Sequence, residues 1–254
     1  MTIFSAATAL GQRDRNDDVF LVPPLLSYTV GAEAQVVSGK RRRTDAVAVF
    51  AVADGVGSLP DSRAAASAAM RAIENEADEF NAMPRELRPK VKDFLYLILD
   101  RAQQAMLAYN KKAQTSGSST LALLLLYENE YYAANIGDSP IFLVQKRRAK
   151  ELSVRDNAYY EKLRKGEKPS KEDARVLLKH LGDATAVSSL TAHIKCGIIK
   201  AGDRFILATD GVTNELRTKT FVSLAKKGGA AAMVAAAEKK KGSDNCTAIV
   251  VDVV

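Results

Sequence analysis

The run Ala48-Val49-Phe50-Ala51-Val52-Ala53 ends in Asp54-Gly55, and two later runs end in the same way. Tyr131-Tyr132-Ala133-Ala134-Asn135-Ile136 runs into Gly137-Asp138, and Phe205-Ile206-Leu207-Ala208-Thr209 into Asp210-Gly211. Each is a strand-like apolar stretch that stops at an aspartate beside a glycine. Asp-Gly is also a common hairpin turn, but a hairpin needs a second strand directly after it. Asp54-Gly55 is followed instead by the alanine-rich, helix-forming stretch Ala64 to Ile73, and Asp210-Gly211 leads into the helix-like stretch Leu216 to Lys240. Only Gly137-Asp138 precedes a strand, Ile141-Phe142-Leu143-Val144. The turn explanation fails twice, so the carboxylates have another role. Asp17-Asp18 near the start and Asp244-Asn245 near the end extend the set. Carboxylates at strand ends, far apart in sequence, suit a cage of oxygen ligands for a hard cation such as Mg²⁺ or Mn²⁺.

The surrounding sequence predicts two short strands in 2–22 around the Arg13–Asp18 turn, with Pro23-Pro24 ending the second. An extra hairpin is expected in 25–45, then the strand entering Asp54. Helices are expected at 61–80 and 84–113, with Pro84 at the start of the second, where a missing N–H costs nothing. Strands follow at 119–127, 130–136 and 141–145. Residues 153–190 are the least regular segment and read either as a substrate-contact lid or as a surface excursion. Strands are expected at 190–199 and 204–209, helices at 218–227 and 229–241, and a last strand from Cys246 to Val253. Two helix pairs interrupting mostly antiparallel strands point to layered sheets flanked by helices rather than a parallel βαβ sheet.

The chain has 254 residues, a length that one α/β domain can occupy, and it is read as a single domain over 1–254. At 47% hydrophobic and 26% charged it carries ample material for a core. Leu121 to Leu126 is too short to cross a membrane and reads as a buried strand. No basic region precedes the apolar residues of Met1 to Leu10, so no secretory signal, no membrane role and a cytoplasmic location are expected. Cys196 and Cys246 both sit in strand-like segments and read as small buried residues in a reducing compartment. The formal charge of +7 gathers in Lys40–Arg43, Lys146–Lys150 and Lys239–Lys241. Each cluster falls between periodic segments, as solvated turns and helix ends do. Without a continuous basic face or an aromatic recognition motif, nucleic acid is not the expected partner, and an acidic or phosphorylated partner is. His180 and His193 are the two histidines and form no metal-binding pair at helical spacing. The phosphate-cradling loop of NTPases, the nucleophile elbow and the dinucleotide fingerprint are missing from the sequence. What remains is a set of aspartates and an arginine.

In order, these motifs resemble those of the metal-dependent protein Ser/Thr phosphatases, the protein phosphatase 2C type. Arg13-Asp14-Arg15-Asn16-Asp17-Asp18 resembles the entry motif Arg-x-x-Asn-Glu-Asp of that family, and Asp54-Gly55-Val56-Gly57 its Asp-Gly-x-Gly. Ser119-Thr120 resembles its small-residue strand start. Ala134-Asn135-Ile136-Gly137-Asp138-Ser139, Ala208-Thr209-Asp210-Gly211-Val212 and Asp244-Asn245-Cys246-Thr247 resemble three further motifs. The match runs from about residue 8 to the C-terminus. The resemblance implies an α+β fold, a central β-sandwich of two antiparallel sheets flanked on each side by a pair of antiparallel helices. It implies two Mn²⁺ or Mg²⁺ ions at one end of the sandwich, with a weaker third. Asp54 would bridge both ions and the Gly55 carbonyl would bind one. Asp210 and Asp244 would complete the first ion, Asp17 and Asp18 would support the second, and Asp138 would hold the third. Arg13 would grip the substrate phosphate. The reaction implied is hydrolysis of phosphoserine and phosphothreonine by a water that the ions activate. The substrates would be targets of a Ser/Thr kinase and the enzyme a monomer. Asp17 stands where the family commonly has Glu, and Pro140 where an Arg is usual. These two departures are the support for one alternative, a pseudophosphatase acting as a scaffold. A further alternative keeps the fold and metals and acts on small phosphoesters. The apolar Val56 points to a compact bacterial member.

Overall fold

The computed structural model describes residues 1–23, 25–27, 35–41, 46–56, 59, 61–146, 148–186 and 192–254. The strands are β1 (Thr2–Ala9), β2 (Asp18–Val22), β3 (Leu25–Ser27), β4 (Gln35–Arg41), β5 (Ala48–Asp54), β6 (Leu121–Tyr127), β7 (Glu130–Ile136), β8 (Ile141–Gln145), β9 (Arg148–Glu151), β10 (His193–Ile198), β11 (Arg204–Ala208) and β12 (Cys246–Val253). They form two sheets, ordered β4-β1-β12-β11-β8-β9 and β10-β7-β6-β5-β2-β3, antiparallel throughout. The helices are α1 (Ser62–Ala82), α2 (Val91–Ala113), α3 (Ala158–Arg164), α4 (Asp210–Thr213) and α5 (Thr218–Lys240).

Three apolar layers hold these elements together. Between the sheets lie Phe4, Phe20, Phe50, Leu124, Phe205 and Ile249, with the Phe4 and Phe50 rings edge to face at 5.5 Å. A second layer joins Met70, Ile73, Phe94 and Ile98 of α1 and α2 to the outer face of the β5-β6 sheet. The third joins Phe221, Met233 and Val234 of α5 to the outer face of the β11-β12 sheet. Leu121, Leu123 and Leu125 face the helices while Ala122, Leu124 and Leu126 face the other sheet. A strand covered on both sides must be apolar at every position, which explains an unbroken leucine run. The architecture is therefore the layered sheets flanked by helices that the order of elements implied, and the α+β sandwich that the resemblance implied.

Several expectations are corrected. The second helix begins at Val91, not at Pro84. Arg85–Leu87 make a single 3₁₀ turn, and Arg88, just before Pro89, is extended (ψ 136°), because proline disfavours a helical residue ahead of it. The expected hairpin in 25–45 is split between sheets: β3 pairs with β2, and β4 pairs with β1. Residues 28–34 and 42–45, and with them Arg42 and Arg43, lie outside the described residues. Lys40 and Arg41 end β4 rather than forming a turn. Residues 190 and 191 of the expected strand 190–199 also fall outside the described set. Strand β9 was not expected. Cys196 is exposed, on an edge strand, whereas Cys246 is buried. The two segments expected at 218–227 and 229–241 are present, joined at Gly228-Gly229, where Gly229 takes φ 64°. Among the described residues no helix is long and apolar enough to cross a membrane.

Candidate metal centre

Antiparallel register brings the aspartates to one end of the sandwich. Asp18, first residue of β2, pairs with Asp54, last residue of β5. The Gly55 N–H donates to the Asp17 carbonyl at 3.2 Å, so the turn after β5 lies against the start of β2. In the other sheet, Asp210 follows β11 and Asp244 precedes β12, two paired strands. Gly211 lets their turns touch, since a Cβ on it would stand 2.0 Å from the Asn245 carbonyl oxygen and 3.4 Å from Asp244 Cβ. Asp138 completes the group from the turn between β7 and β8.

A scaffold of hydroxyl and amide side chains fixes these carboxylates. Thr120 Oγ1 accepts from the Asp54 N–H at 3.0 Å and lies 2.6 Å from Ser139 Oγ, which gives the Ser119-Thr120 motif its use. Thr209 Oγ1 donates to Asp18 Oδ2 at 2.9 Å and accepts from the Thr247 N–H. Asn157 Nδ2 donates to Asp138 Oδ2 at 2.8 Å and ties the start of the irregular 153–190 segment to the site. Leu181, near the far end of that segment, exchanges backbone hydrogen bonds with Ser119. Asn245 serves three partners: its Nδ2 donates to the Leu10 and Arg15 carbonyls and its Oδ1 accepts from the Asp17 N–H. Asn245 and Asn157 had no role in the sequence reading. The usable signal was an asparagine beside an aspartate, Asp244-Asn245 and Asp156-Asn157. Asn245 is buried, so Asn245→Ala removes all three of these hydrogen bonds at once. The expected loss is about 3 kcal/mol of stability, read as a drop in melting temperature of roughly 6–12 °C. A change within 2 °C (about 1 kcal/mol or less) would contradict this role.

Two arginines reach the cluster. Arg13 Nη2 donates to Asp244 Oδ2 at 2.8 Å, and its charge is felt by Asp54 and Asp210 as well. Arg15 Nε donates to Asp17 Oδ2 at 2.9 Å. The short Asp17 side chain is thus turned toward Arg15. Among the described residues no three carboxyl, thiol or imidazole groups converge tightly enough to hold an ion as they stand. Two of the carboxylates, Asp244 and Asp17, are paired with these arginines. Neither histidine takes part: His193 Nε2 lies 2.9 Å from Asp156 Oδ2, and His180 Nδ1 lies 3.2 Å from the Leu181 carbonyl. Pro140 stands just before β8, where its missing N–H is harmless, and its carbonyl accepts from the Ala208 N–H.

The electrostatics are those of a site that needs cations. Burial pushes Asp54 well above the ordinary carboxylate range, and the charges of Asp18, Asp210, Asp138 and Asp244 push the same way. Burial raises Asp18 to about 7 against the opposing hydrogen bonds of Thr247 and Thr209. Burial, then Asp138 and Asp244, raises Asp210 to about 7, while a hydrogen bond from the Asp54 carboxyl opposes the rise. Asp138 is raised by burial. Asp18 Oδ1 is buried without a hydrogen-bond partner. An orphaned carboxylate oxygen, like charges in contact and an all-oxygen donor set together fit a hard divalent cation. Asp17, Asp18, Asp54, Asp138, Asp210, Asp244 and the Gly55 carbonyl could hold it.

These shifts set a pH dependence. A carboxyl whose folded pKa is raised keeps a proton that the unfolded chain has lost, so its stabilisation is complete below about pH 4 and is lost as pH rises through about 7. In chelator, the melting temperature should fall between pH 5 and pH 8, and Mn²⁺ should restore more of it at pH 8 than at pH 5. A melting temperature in chelator that rises over that window would contradict the crowding of these charges.

Comparison with known proteins agrees with this geometry. The family model described as protein phosphatase 2C matches residues 38–241. That span contains Asp54, Asp138 and Asp210, while sheet register adds Arg13, Asp17, Asp18 and Asp244 from outside it. A curated relative, the serine/threonine phosphatase stp of Listeria monocytogenes serotype 4b, is 25% identical over 217 residues, covering 80% of this chain and 84% of that one. Two solved structures share the fold. The S. agalactiae serine/threonine phosphatase superposes with a TM-score of 0.78 at 16% identity, over 100% of both chains. The catalytic domain of the serine/threonine protein phosphatase PstP in complex with two manganese ions gives 0.73 at 20% identity, again over 100% of both chains.

Proposed function

The chain belongs to the protein phosphatase 2C family, and from that premise we propose that it is a metal-dependent protein Ser/Thr phosphatase. The observation that carries the reading is the convergence of Asp18, Asp54, Asp138, Asp210 and Asp244 on one end of the sandwich with Arg13 among them. Asp54, central to the cluster, would bridge two Mn²⁺ or Mg²⁺ ions. The Gly55 carbonyl, Asp210 and Asp244 would hold one, and Asp18 the other. Asp17 would act through water, since its carboxylate is paired with Arg15. Asp138, with Asn157 as its support, would hold a weaker third ion. Ions bound there would acidify a shared water and polarise the phosphoryl oxygens. The substrates would be phosphoproteins made by a Ser/Thr kinase.

Phosphomonoester hydrolysis is very slow without catalysis, so positioning and charge compensation must be extensive. Arg13 supplies both on the protein side. Its guanidinium can bind two phosphoryl oxygens as a fork and offset charge that grows in the transition state. Asp244 holds that guanidinium at the edge of the carboxylate cluster. No nucleophilic side chain is needed, since the attacking group in this reading is water.

Arg13→Ala tests the assignment. The value of kcat/KM for a phosphothreonine peptide should fall about 10²-fold, with Arg13→Lys recovering only part, while Mn²⁺ affinity holds or rises because Asp244 is freed. Loss of Mn²⁺ affinity with unchanged peptide turnover would show that Arg13 organises the ligands instead of the substrate.

A further inference from the structure

Beside the carboxylate cluster lies a second feature that the proposed chemistry does not use. A cleft of about 410 Å³ is lined by Gln12, Glu238, Lys239, Lys240, Lys241 and Ser243. It joins the end of α5 to the turn before β1's partner strand β12. Gln12 immediately precedes Arg13, and Ser243 immediately precedes Asp244. The Gln12 N–H donates to the Gly242 carbonyl at 2.7 Å, so the two walls are stitched together. Consecutive Cα atoms are about 3.8 Å apart, which places the cleft next to the Arg13–Asp244 pair.

The lysines are not equivalent. The Lys240 ammonium is committed to the Glu215 carbonyl, and Ser243 Oγ donates to Glu215 Oε1 at 3.2 Å. Among the described residues Lys239 and Lys241 have neither an ion pair nor a side-chain hydrogen bond, and both are exposed. Lysines in a last helical turn gain something from the helix dipole. That gain is small and does not by itself account for two uncommitted lysines lining one cleft beside the arginine proposed to grip phosphate. Glu238 is the one acid in the lining, so the cleft is cationic, in line with the formal charge of +7. Such a cleft concentrates anions at its mouth.

We infer that this cleft receives an anionic side chain of the phosphoprotein substrate, from a residue within about three positions of the phosphorylated one, since an extended chain advances roughly 3.3–3.6 Å per residue. Lys239 and Lys241 are the residues that recognise it. The anion is a carboxylate or a second phosphate. The inference rests on the phosphatase reading above and adds a substrate class to it, acidic or multiply phosphorylated segments.

Three phosphothreonine peptides of one length test it: one with neutral neighbours, one with Glu neighbours, and one with a phosphoserine neighbour. They are compared for the wild type and the double variant Lys239→Glu/Lys241→Glu, with p-nitrophenyl phosphate as a substrate that cannot reach the cleft. The wild type should favour one or both anionic peptides by roughly three- to tenfold in kcat/KM, the scale of two solvent-exposed ion pairs. The Glu and phosphoserine arms separate the two anion sources. The double variant should lose that preference while hydrolysing p-nitrophenyl phosphate as the wild type does. Equal turnover of all three peptides by the wild type, an undiminished preference in the variant, or an equal loss on p-nitrophenyl phosphate would each overturn the inference. Wild-type protein that turns over neither peptide nor aryl phosphate in Mn²⁺ would overturn the phosphatase reading itself, and this inference with it.

Discussion

Asp54→Asn should abolish divalent-ion-dependent phosphatase activity while making the protein more stable in chelator. Asp54 is the carboxylate on which the charges of Asp18, Asp210, Asp138 and Asp244 all bear. Removing one charged oxygen removes the proposed bridge between two ions. The loss should be at least roughly 10²–10³-fold in kcat, the scale of a single preorganised electrostatic contact. Without ions the same substitution relieves repulsion. The amide that replaces the Asp54 carboxyl can donate to Asp210 as that carboxyl does, and it needs no captured proton to do so. A gain of about 1 kcal/mol would raise the melting temperature by ~2–4 °C, the usual opposition of stability and activity at a charged site. Mn²⁺ should then add little to the variant's stability, whereas it should stabilise the wild type by mass action. Full activity in the variant would exclude Asp54 as a ligand. A large fall in melting temperature in chelator would mean that Asp54 is structural.

The second large effect is expected from Gly211→Ala. The new Cβ would meet the Asn245 carbonyl oxygen at 2.0 Å and its carbon at 3.0 Å, both main-chain atoms. No rotamer change relieves that clash, so the turn after β11 and the turn before β12 must separate. They carry Asp210 and Asp244. A displacement of about 1 Å at reacting groups can cost 10²-fold in rate, and overpacking costs about 1–3 kcal/mol. Activity should fall by about two orders of magnitude with a clear loss of melting temperature. Gly202→Ala is the control: Gly202 has φ +85°, but its added Cβ meets nothing within 4 Å. It should cost some stability and leave kcat unchanged. If both variants retain wild-type activity, the two turns are not held in the register described.

The sequence made the cluster's members legible because each sits at or beside a strand end, where a nearly unbroken apolar run starts or stops near an acid. It made the layers legible because Leu121 to Leu126 is apolar at every position and α1 and α2 are not. Pairing across the sandwich was harder to read. Nothing local says that β4 joins β1 while β3 joins β2, since both choices satisfy the same alternation. Pro84 looked like a helix start because the effect of Pro89 on Arg88 was overlooked. Cys196 looked buried because an edge strand and a central strand share a composition. The supporting asparagines were missed for a different reason. Asn245 acts through backbone partners at Leu10, Arg15 and Asp17, more than 200 positions away, and such a role is set by tertiary contact alone.

The most direct test is phosphate release from a phosphothreonine peptide by the wild-type protein, measured against Mn²⁺ concentration from chelator upward. The account predicts no release in chelator and a saturable rise with Mn²⁺, reversed when chelator is returned. Release at the same rate in chelator, or none at any Mn²⁺ or Mg²⁺ concentration from folded protein, would contradict a metal-dependent phosphatase centred on Asp54.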